Sequence, residues 1–293
     1  MNGMLNILKP PGMTSHDVVA YIRRLAGIKR VGHAGTLDPG AAGVLPLCLG
    51  QATRVAEYML SLPKKYRAEL TLGATTDTED AAGTVTVRKP VPVLTREAVE
   101  RTLESFIGPR LQTPPMYSAV RAGGKRLYEL ARRGEEVKRR PRKIHIYDLQ
   151  LLSLQGSRVM FDVACSRGTY VRTLCRKIAE ALGTAGYMSF LLRTAVGPFL
   201  LEETLSLEEA AQLADKGLLA SALLPIDYGL RHLPQAVLTD KEAERLQNGA
   251  FIPYAGKLPA GCDIRVYRQD GRFLALAEMQ HGLLRPKKVF HHR

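Results

Sequence analysis

The sequence predicts an α+β fold, and three observations carry that expectation. Tyr66, Ala68, Leu70 and Leu72 alternate with Arg67, Glu69 and Thr71, the period-two pattern of a half-buried strand; Val159, Phe161, Val163 and Cys165 repeat it. Val171, Leu174, Cys175, Ile178 and Leu182 fall at i, i+3, i+4, i+7 and i+11, the apolar stripe of an amphipathic helix. Helical and strand patterns do not alternate strictly, which disfavours a doubly wound parallel sheet.

Taken in order, Val18, Val19, Ile22 and Leu25 predict a helix over Ser15 to Leu25, with Ser15 as its N-cap and Gly27 as its stop. The Gly-rich run from Gly32 to Gly40 must be loop. A short helix is expected from Thr53 to Leu60, then the strand at Tyr66, a turn at Asp80 to Gly83, and a partner strand at Val85 and Val87. Thr95 caps a helix carrying Val99, Leu103 and Phe106, which Gly108-Pro109 ends. Residues 110–143 are rich in Pro, Gly and Arg and hold one short helical pattern, Leu127 to Arg133, so they are expected to leave the core. Ile144 and Ile146 open the next strand, and Gly168 turns the chain into the helix at Val171, which Gly183 ends. Ser206 with Glu209, and Thr239 with Glu242, are capping boxes. Near the end, two apolar runs flank Asp270-Gly271, a hairpin signal, so residues 233–293 are expected to form a small β-rich domain after a larger one over 1–232.

Among the 293 residues 45 % are hydrophobic, which excludes global disorder, and 26 Gly and 17 Pro are scattered without the period of collagen. The longest strongly apolar run, Val44 to Leu49, is far short of a membrane span and is broken by Pro46. Nothing at the N-terminus reads as a signal-peptide core, so a cytoplasmic protein is expected. Cys48, Cys165, Cys175 and Cys262 are far apart with no histidine at ligand spacing, so no metal site is expected; Cys48 and Cys175 read as buried apolar residues. The net charge of +14 is concentrated. Residues 121–143 hold ten basic and three acidic side chains, half of the excess. Such local density attracts polyanions, and nucleic acid releases counterions on binding. The bland alternative is a solvated loop. Two further basic groups are Arg23, Arg24, Lys29 and Arg30, and the tail Arg285, Lys287, Lys288 and Arg293.

The loop at 32–40 matches neither a dinucleotide nor a phosphate-loop pattern. Asp38-Pro39-Gly40 is good turn chemistry, which is the ordinary reading. Yet Asp38 is the only acid between Val31 and Gln51, and a lone carboxylate in such a loop can serve as nucleophile or base.

Three stretches here, Asn6 to Asp17 (with Lys9-Pro-Pro-Gly12), Val31-Gly-His33-Ala-Gly-Thr-Leu-Asp38-Pro, and Gly43-Val-Leu-Pro46, resemble the N-terminal motifs of the TruB family of tRNA pseudouridine synthases. Lys64-Lys-Tyr66, Gln112-Thr-Pro-Pro-Met-Tyr117-Ser-Ala and Ser166-Arg-Gly-Thr-Tyr170-Val-Arg172-Thr fit the same family in order and approximate spacing. Ala34 and Ala42 stand where many relatives carry hydroxyl residues.

The resemblance implies the pseudouridine synthase fold, with a mixed, mostly antiparallel sheet, a basic RNA-gripping thumb over about 110–143, and a PUA-like RNA-binding domain at the end. It implies conversion of uridine 55 in the T arm of tRNA to pseudouridine, with no cofactor, no guide RNA and a monomeric enzyme. Asp38 matches the family's essential aspartate, Tyr66 the aromatic residue that stacks on uracil, and Arg172 the residue that pairs with the aspartate. Tyr170 and Leu191 match pocket positions, His33 a residue that holds the extruded nucleotide, and Lys9 is placed with the substrate-binding residues. Arg139, Arg140 and Arg142 are the thumb side chains expected on RNA. Two rivals remain: a non-catalytic RNA-binding protein, which needs no Asp38, and a guide-RNA-dependent pseudouridine synthase, which shares the loop around Asp38.

Overall fold

Alternating burial along Lys64–Leu72 places this strand at the centre of a nine-stranded sheet, with Tyr66, Ala68, Leu70 and Leu72 on the inner face. The order across the sheet is Gly3–Lys9, Ala42–Leu49, Gly186–Val196, Lys64–Leu72, Arg158–Cys165, Arg142–Gln155 and Gly108–Gln112; Val31–His33 and Phe199–Leu200 pair at its side. The pairings are antiparallel apart from one parallel contact, where Leu192 and Arg193 meet Ala42 and Gly43. The structure, a computed structural model, describes residues 1–131, 133–259 and 261–291. Arg132 and Arg293, counted above among the basic side chains, lie outside the described residues.

The helix Val171–Ala181 buries Val171, Leu174, Cys175 and Ile178 against Tyr66, Ala68, Leu70, Phe161 and Val163, so the period-3.6 stripe meets the period-two face. Helices Ser15–Ala26 and Leu207–Asp215 cover the other end of the sheet through Val18, Ile22, Leu5, Leu47, Leu207 and Ala210. A second, five-stranded sheet follows in the order Gln235–Leu238, Asp263–Arg268, Phe273–Gln280, Leu283–Val289 and Ile252–Pro253. Its Phe273, Leu276 and Phe290 share one apolar cluster with Met4, Val55, Met59, Phe199 and Leu230 of the chain before it. Gln51 and His291 exchange two hydrogen bonds across the same junction. Among the described residues no helix is long and apolar enough to cross a membrane.

Several local expectations are corrected. The first helix is capped by Thr14, whose hydroxyl accepts from the Asp17 amide, and not by Ser15, which is buried and turned to the loop. The helix expected at Thr53 to Leu60 is a 3-10 turn, Gly50–Val55, running into one α-turn at Ala56–Met59. The excursion at 110–143 begins and ends inside the sheet: Arg142 pairs with Gln112 and Lys143 with Leu111. Only the residues between those strands leave the core, forming a two-residue-stranded hairpin and the short helix Leu127–Ala131. Strands Gly3–Lys9 and Ala42–Leu49 carry near-continuous burial and so no alternation to read.

Candidate active site

The loop around Asp38 is held almost atom by atom. Gly35 and Thr36 offer their carbonyls to the Arg193 guanidinium at 3.1 and 3.2 Å. Leu37 exchanges hydrogen bonds with the Ser15 hydroxyl, its amide donating at 2.9 Å. The Pro39 carbonyl accepts from the Gly12 amide and from Lys9 Nζ, and the Ala41 carbonyl accepts from Lys9 Nζ at 2.7 Å. A loop fixed through its backbone leaves its one carboxylate free, and the Asp38 side chain is 40 % exposed.

Arg172 approaches that carboxylate from the first turn of the helix, its Nε 2.9 Å from Asp38 Oδ2. Its side chain is 6 % exposed and makes three other contacts: Nη1 donates to the Thr78 carbonyl and lies 3.5 Å from Asp80 Oδ2, and Nη2 donates to the Tyr117 carbonyl at the thumb root. One planar guanidinium thus ties together three separate segments. The loop carrying Thr78 and Asp80 is itself fastened to the helix. Glu79, in the left-handed region at φ 63°, accepts from Thr173 at 2.5 Å and Arg176 at 2.8 Å. Those two bonds offset the local backbone cost.

Asp38, Tyr66, Tyr170, Arg172 and Leu191 line a single cavity of ≈ 90 Å³, with Thr36, Leu37, Thr169 and Val171. Tyr66 is buried, and burial pushes its hydroxyl up to about 12 while the Arg193 guanidinium facing it works the other way. Tyr170 sits at the helix N-cap with no side-chain cap; Gln112 fixes its backbone by donating to its carbonyl and accepting from its amide. A larger cavity of ≈ 180 Å³ in the second sheet is lined by Gln247, Arg268, Arg272, Leu274 and His291. Its arginines face Asp240 and Asp270, and none of the expected site residues lies there.

Not every expected residue joins the cavity. Lys9 is fully buried and donates to the carbonyls of Pro10, Pro39 and Ala41, so its three N–H groups are spent on the loop and none remains for a substrate. Burial lowers its pKa to about 8, against the opposing pull of Asp38. His33 lies beside the loop, edge-on to His16 at 5.3 Å, with its Nδ1 accepting from the Gly35 amide. Burial holds it near pKa 4, and His16 and Arg193 add to that, so its ring is neutral at neutral pH. Arg139 is turned into the thumb, bonded to the Pro114 carbonyl and Glu136, whereas Arg140 and Arg142 are exposed.

Sequence reasoning missed Arg193, Asp80, Glu79 and the anchoring role of Gln112. Two signals were available. Asp77, Glu79 and Asp80 are three acids in four residues of a basic chain, and Arg193 stands two residues from Leu191, on the inward side of its strand.

The family described as TruB family pseudouridylate synthase (N terminal domain) matches residues 23–171. The tRNA pseudouridylate synthase B C-terminal domain matches 172–231, and the pseudouridine synthase II TruB C-terminal family matches 234–290. A tRNA pseudouridine synthase B of Alkaliphilus oremlandii is 48 % identical over 91 % of this chain and 90 % of its own length. That of Geobacillus thermodenitrificans is 49 % identical over 99 % of this chain and all of its own. Among solved structures, a chain of a Cbf5-Nop10-Gar1 complex superposes with a TM-score of 0.79 at 29 % identity, covering 99 % of this chain and 85 % of that one. A chain of an H/ACA RNP bound to a substrate RNA gives 0.78 at 26 % identity, covering 99 % and 86 %. With every stretch from residue 23 to 290, apart from two linking residues, matched by its models, this chain belongs to the TruB family of pseudouridine synthases.

Proposed function

We propose that this protein isomerises uridine 55 in the T arm of tRNA to pseudouridine, working alone and without a guide RNA. The observation that carries the reading is the Asp38 carboxylate, exposed at the cavity wall, held by Arg172, with Tyr66 on the same wall. The reaction breaks the N1–C1′ bond, turns the uracil and joins C5 to C1′; the proton lost from C5 balances the one gained at N1. A carboxylate held beside a guanidinium serves either as nucleophile at C1′ or as base. The target base lies inside a folded loop and must be flipped out, which calls for a narrow pocket with a stacking ring. Tyr66 and Tyr170 line such a pocket, and Leu191 supplies an apolar wall. We assign catalysis to residues 1–232 and further RNA contact to 233–293, in a monomeric, cytoplasmic enzyme. Incubation of the purified protein with unmodified tRNA transcript, with pseudouridine mapped afterwards, tests this. Product at position 55 without added guide RNA is expected; product only with a guide RNA, or none, overturns it.

Tyr66 should respond in steps. Tyr66→Phe keeps the ring and loses the hydroxyl; Tyr66→Leu loses both. Stacking is worth about 1–3 kcal/mol per base, so the Phe variant should bind tRNA like wild type but turn over at least about tenfold more slowly, and the Leu variant should fail in both. Single-turnover kinetics with a binding curve separates the two.

The thumb makes a salt-dependence prediction. Each phosphate contact contributes about 0.7–0.9 to the slope of log K against log salt. With Arg139 turned inward, changing Arg139, Arg140 and Arg142 together to Gln should flatten the slope by about 1–2 units, the share of the two exposed arginines. Affinity titrations at several salt concentrations read this directly, and parallel lines would move the RNA contact elsewhere.

A further inference from the structure

Beneath the Asp38 loop lies a second arginine that the reaction as described does not use. Arg193 is 1 % exposed, among the largest fully buried side chains of the protein. Among the described residues no carboxylate forms an ion pair with it. An unpaired buried guanidinium is costly, and a leucine or methionine at this strand position would fill the space without that cost. The charge therefore needs a reason other than packing.

Its contacts supply one. Nε donates to the Val44 carbonyl at 2.7 Å, while Nη1 and Nη2 donate to Thr36 and Gly35, two and three residues before Asp38. Gly35, at φ 127°, takes a backbone conformation that side chains rarely adopt and that suits the carbonyl's turn towards the guanidinium. The strand carrying Arg193 passes so close to Gly43 that a Cβ there would sit 2.2 Å from the Arg193 carbonyl oxygen. Arg193 pairs across the sheet with Tyr66 on one side and with Gly43 on the other. The titratable groups that feel its charge come from several neighbouring elements: Lys9, His33, Lys64 and Tyr66, none of them an acid.

We propose that Arg193 is a positioning residue for the isomerisation: by holding the carbonyls of Gly35, Thr36 and Val44 it ties the incoming limb of the loop to the strand that leaves it, so that the Asp38 carboxylate meets both Arg172 and the cavity that Tyr66 lines. Lys9 does the matching task on the outgoing limb through Pro39 and Ala41. Arg193 does not itself line the cavity, so it acts through the loop and through Thr36 and Tyr66, which do line it. This rests on the reading of Asp38 as the reacting carboxylate.

The test compares Arg193→Met, Arg193→Lys and Asp38→Asn in the full-length protein, each measured for melting temperature, tRNA Kd and single-turnover rate at saturating tRNA. A displacement of about 1 Å at a reacting group costs about 100-fold, so Arg193→Met should lose about that in rate per folded molecule with Kd unchanged. Arg193→Lys, which restores the charge but reaches fewer carbonyls at once, should recover about tenfold of it. A purely structural role predicts a lower melting temperature, a normal rate for the folded fraction and no rescue by Lys. If the Met variant does not fold, Arg193→Lys decides alone: a folded protein about tenfold slower with unchanged Kd upholds the proposal, and a wild-type rate overturns it. A wild-type rate in the Met variant, or a loss of tRNA affinity that accounts for the slower rate, also overturns it. If Asp38→Asn remains active, the reading of the site has failed; if it is inactive while both Arg193 variants are normal, only the role of Arg193 has.

Discussion

Asp38→Asn is expected to abolish pseudouridine formation while leaving the fold and tRNA binding largely intact. The loop does not depend on the carboxylate. Its carbonyls at 35, 36, 37, 39 and 41 are held by Arg193, Ser15, Lys9 and Gly12, and the Asp38 carbonyl accepts from the Ala41 amide. Asn keeps the turn preference of Asp, and its side-chain oxygen still accepts from Arg172. What disappears is the anion, and with it a nucleophile or base. The loss in single-turnover rate should be on the order of 10⁴-fold or more. Because the side chain is 40 % exposed, little folding energy resides in it, so the melting temperature should hardly move. A variant that turns over near the wild-type rate removes Asp38 from the chemistry.

Arg172→Met should lose activity and stability together, which distinguishes it from the first variant. The guanidinium is buried and satisfies Asp38, Asp80, the Thr78 carbonyl and the Tyr117 carbonyl at once. Methionine fills much of the volume but leaves Asp80 without this counter-charge, though still accepting from Thr78 and Ala82, and takes the Arg172 donors from two carbonyls. Removing one member of a buried ionic group costs about 3–5 kcal/mol, and the exposure of Asp38 brings the expectation to about 2–4 kcal/mol. The melting temperature should fall by about 5–10 °C. The rate should fall by about 10²–10³-fold, since the carboxylate loses both its orientation and its counter-charge. Arg172→Lys should recover part of the charge effect and little of the geometry, because one ammonium cannot reach all four acceptors. Thermal melts and single-turnover rates on both variants check this. A Met variant that keeps the wild-type melting temperature would contradict the buried network.

On the proposed reading the two variants divide the site into a reacting group and its support, and the support is where the sequence is hardest to read. Period-two and period-3.6 patterns located the central strand Lys64–Leu72, its neighbour Arg158–Cys165 and the helix Val171–Ala181, because burial on one face leaves a local signature. Motifs placed Asp38, Tyr66, Tyr170, Arg172 and Leu191, and all five line one cavity. The strands Gly3–Lys9 and Ala42–Leu49, buried almost throughout, left no such signature. The strand holding Leu191 and Arg193 does alternate in burial, but a register shift at Met188/Phe190 breaks its period and one of its inward side chains is an arginine.

The sequence by itself determined the α+β class, the main helix and central strands, the family, and the identity of the carboxylate in the Gly-rich loop. Each of these is written in neighbouring residues, as a period, a turn or a motif. Only the tertiary structure decided that Ser15 and Lys9 hold the loop rather than cap a helix or face a substrate. It alone brought Asp80 to Arg172 and Arg193 to Gly35, across separations of 92 and 158 residues. The physical reason is that a buried polar side chain must find its partners wherever the packed core brings them, and spacing along the chain carries no record of that distance.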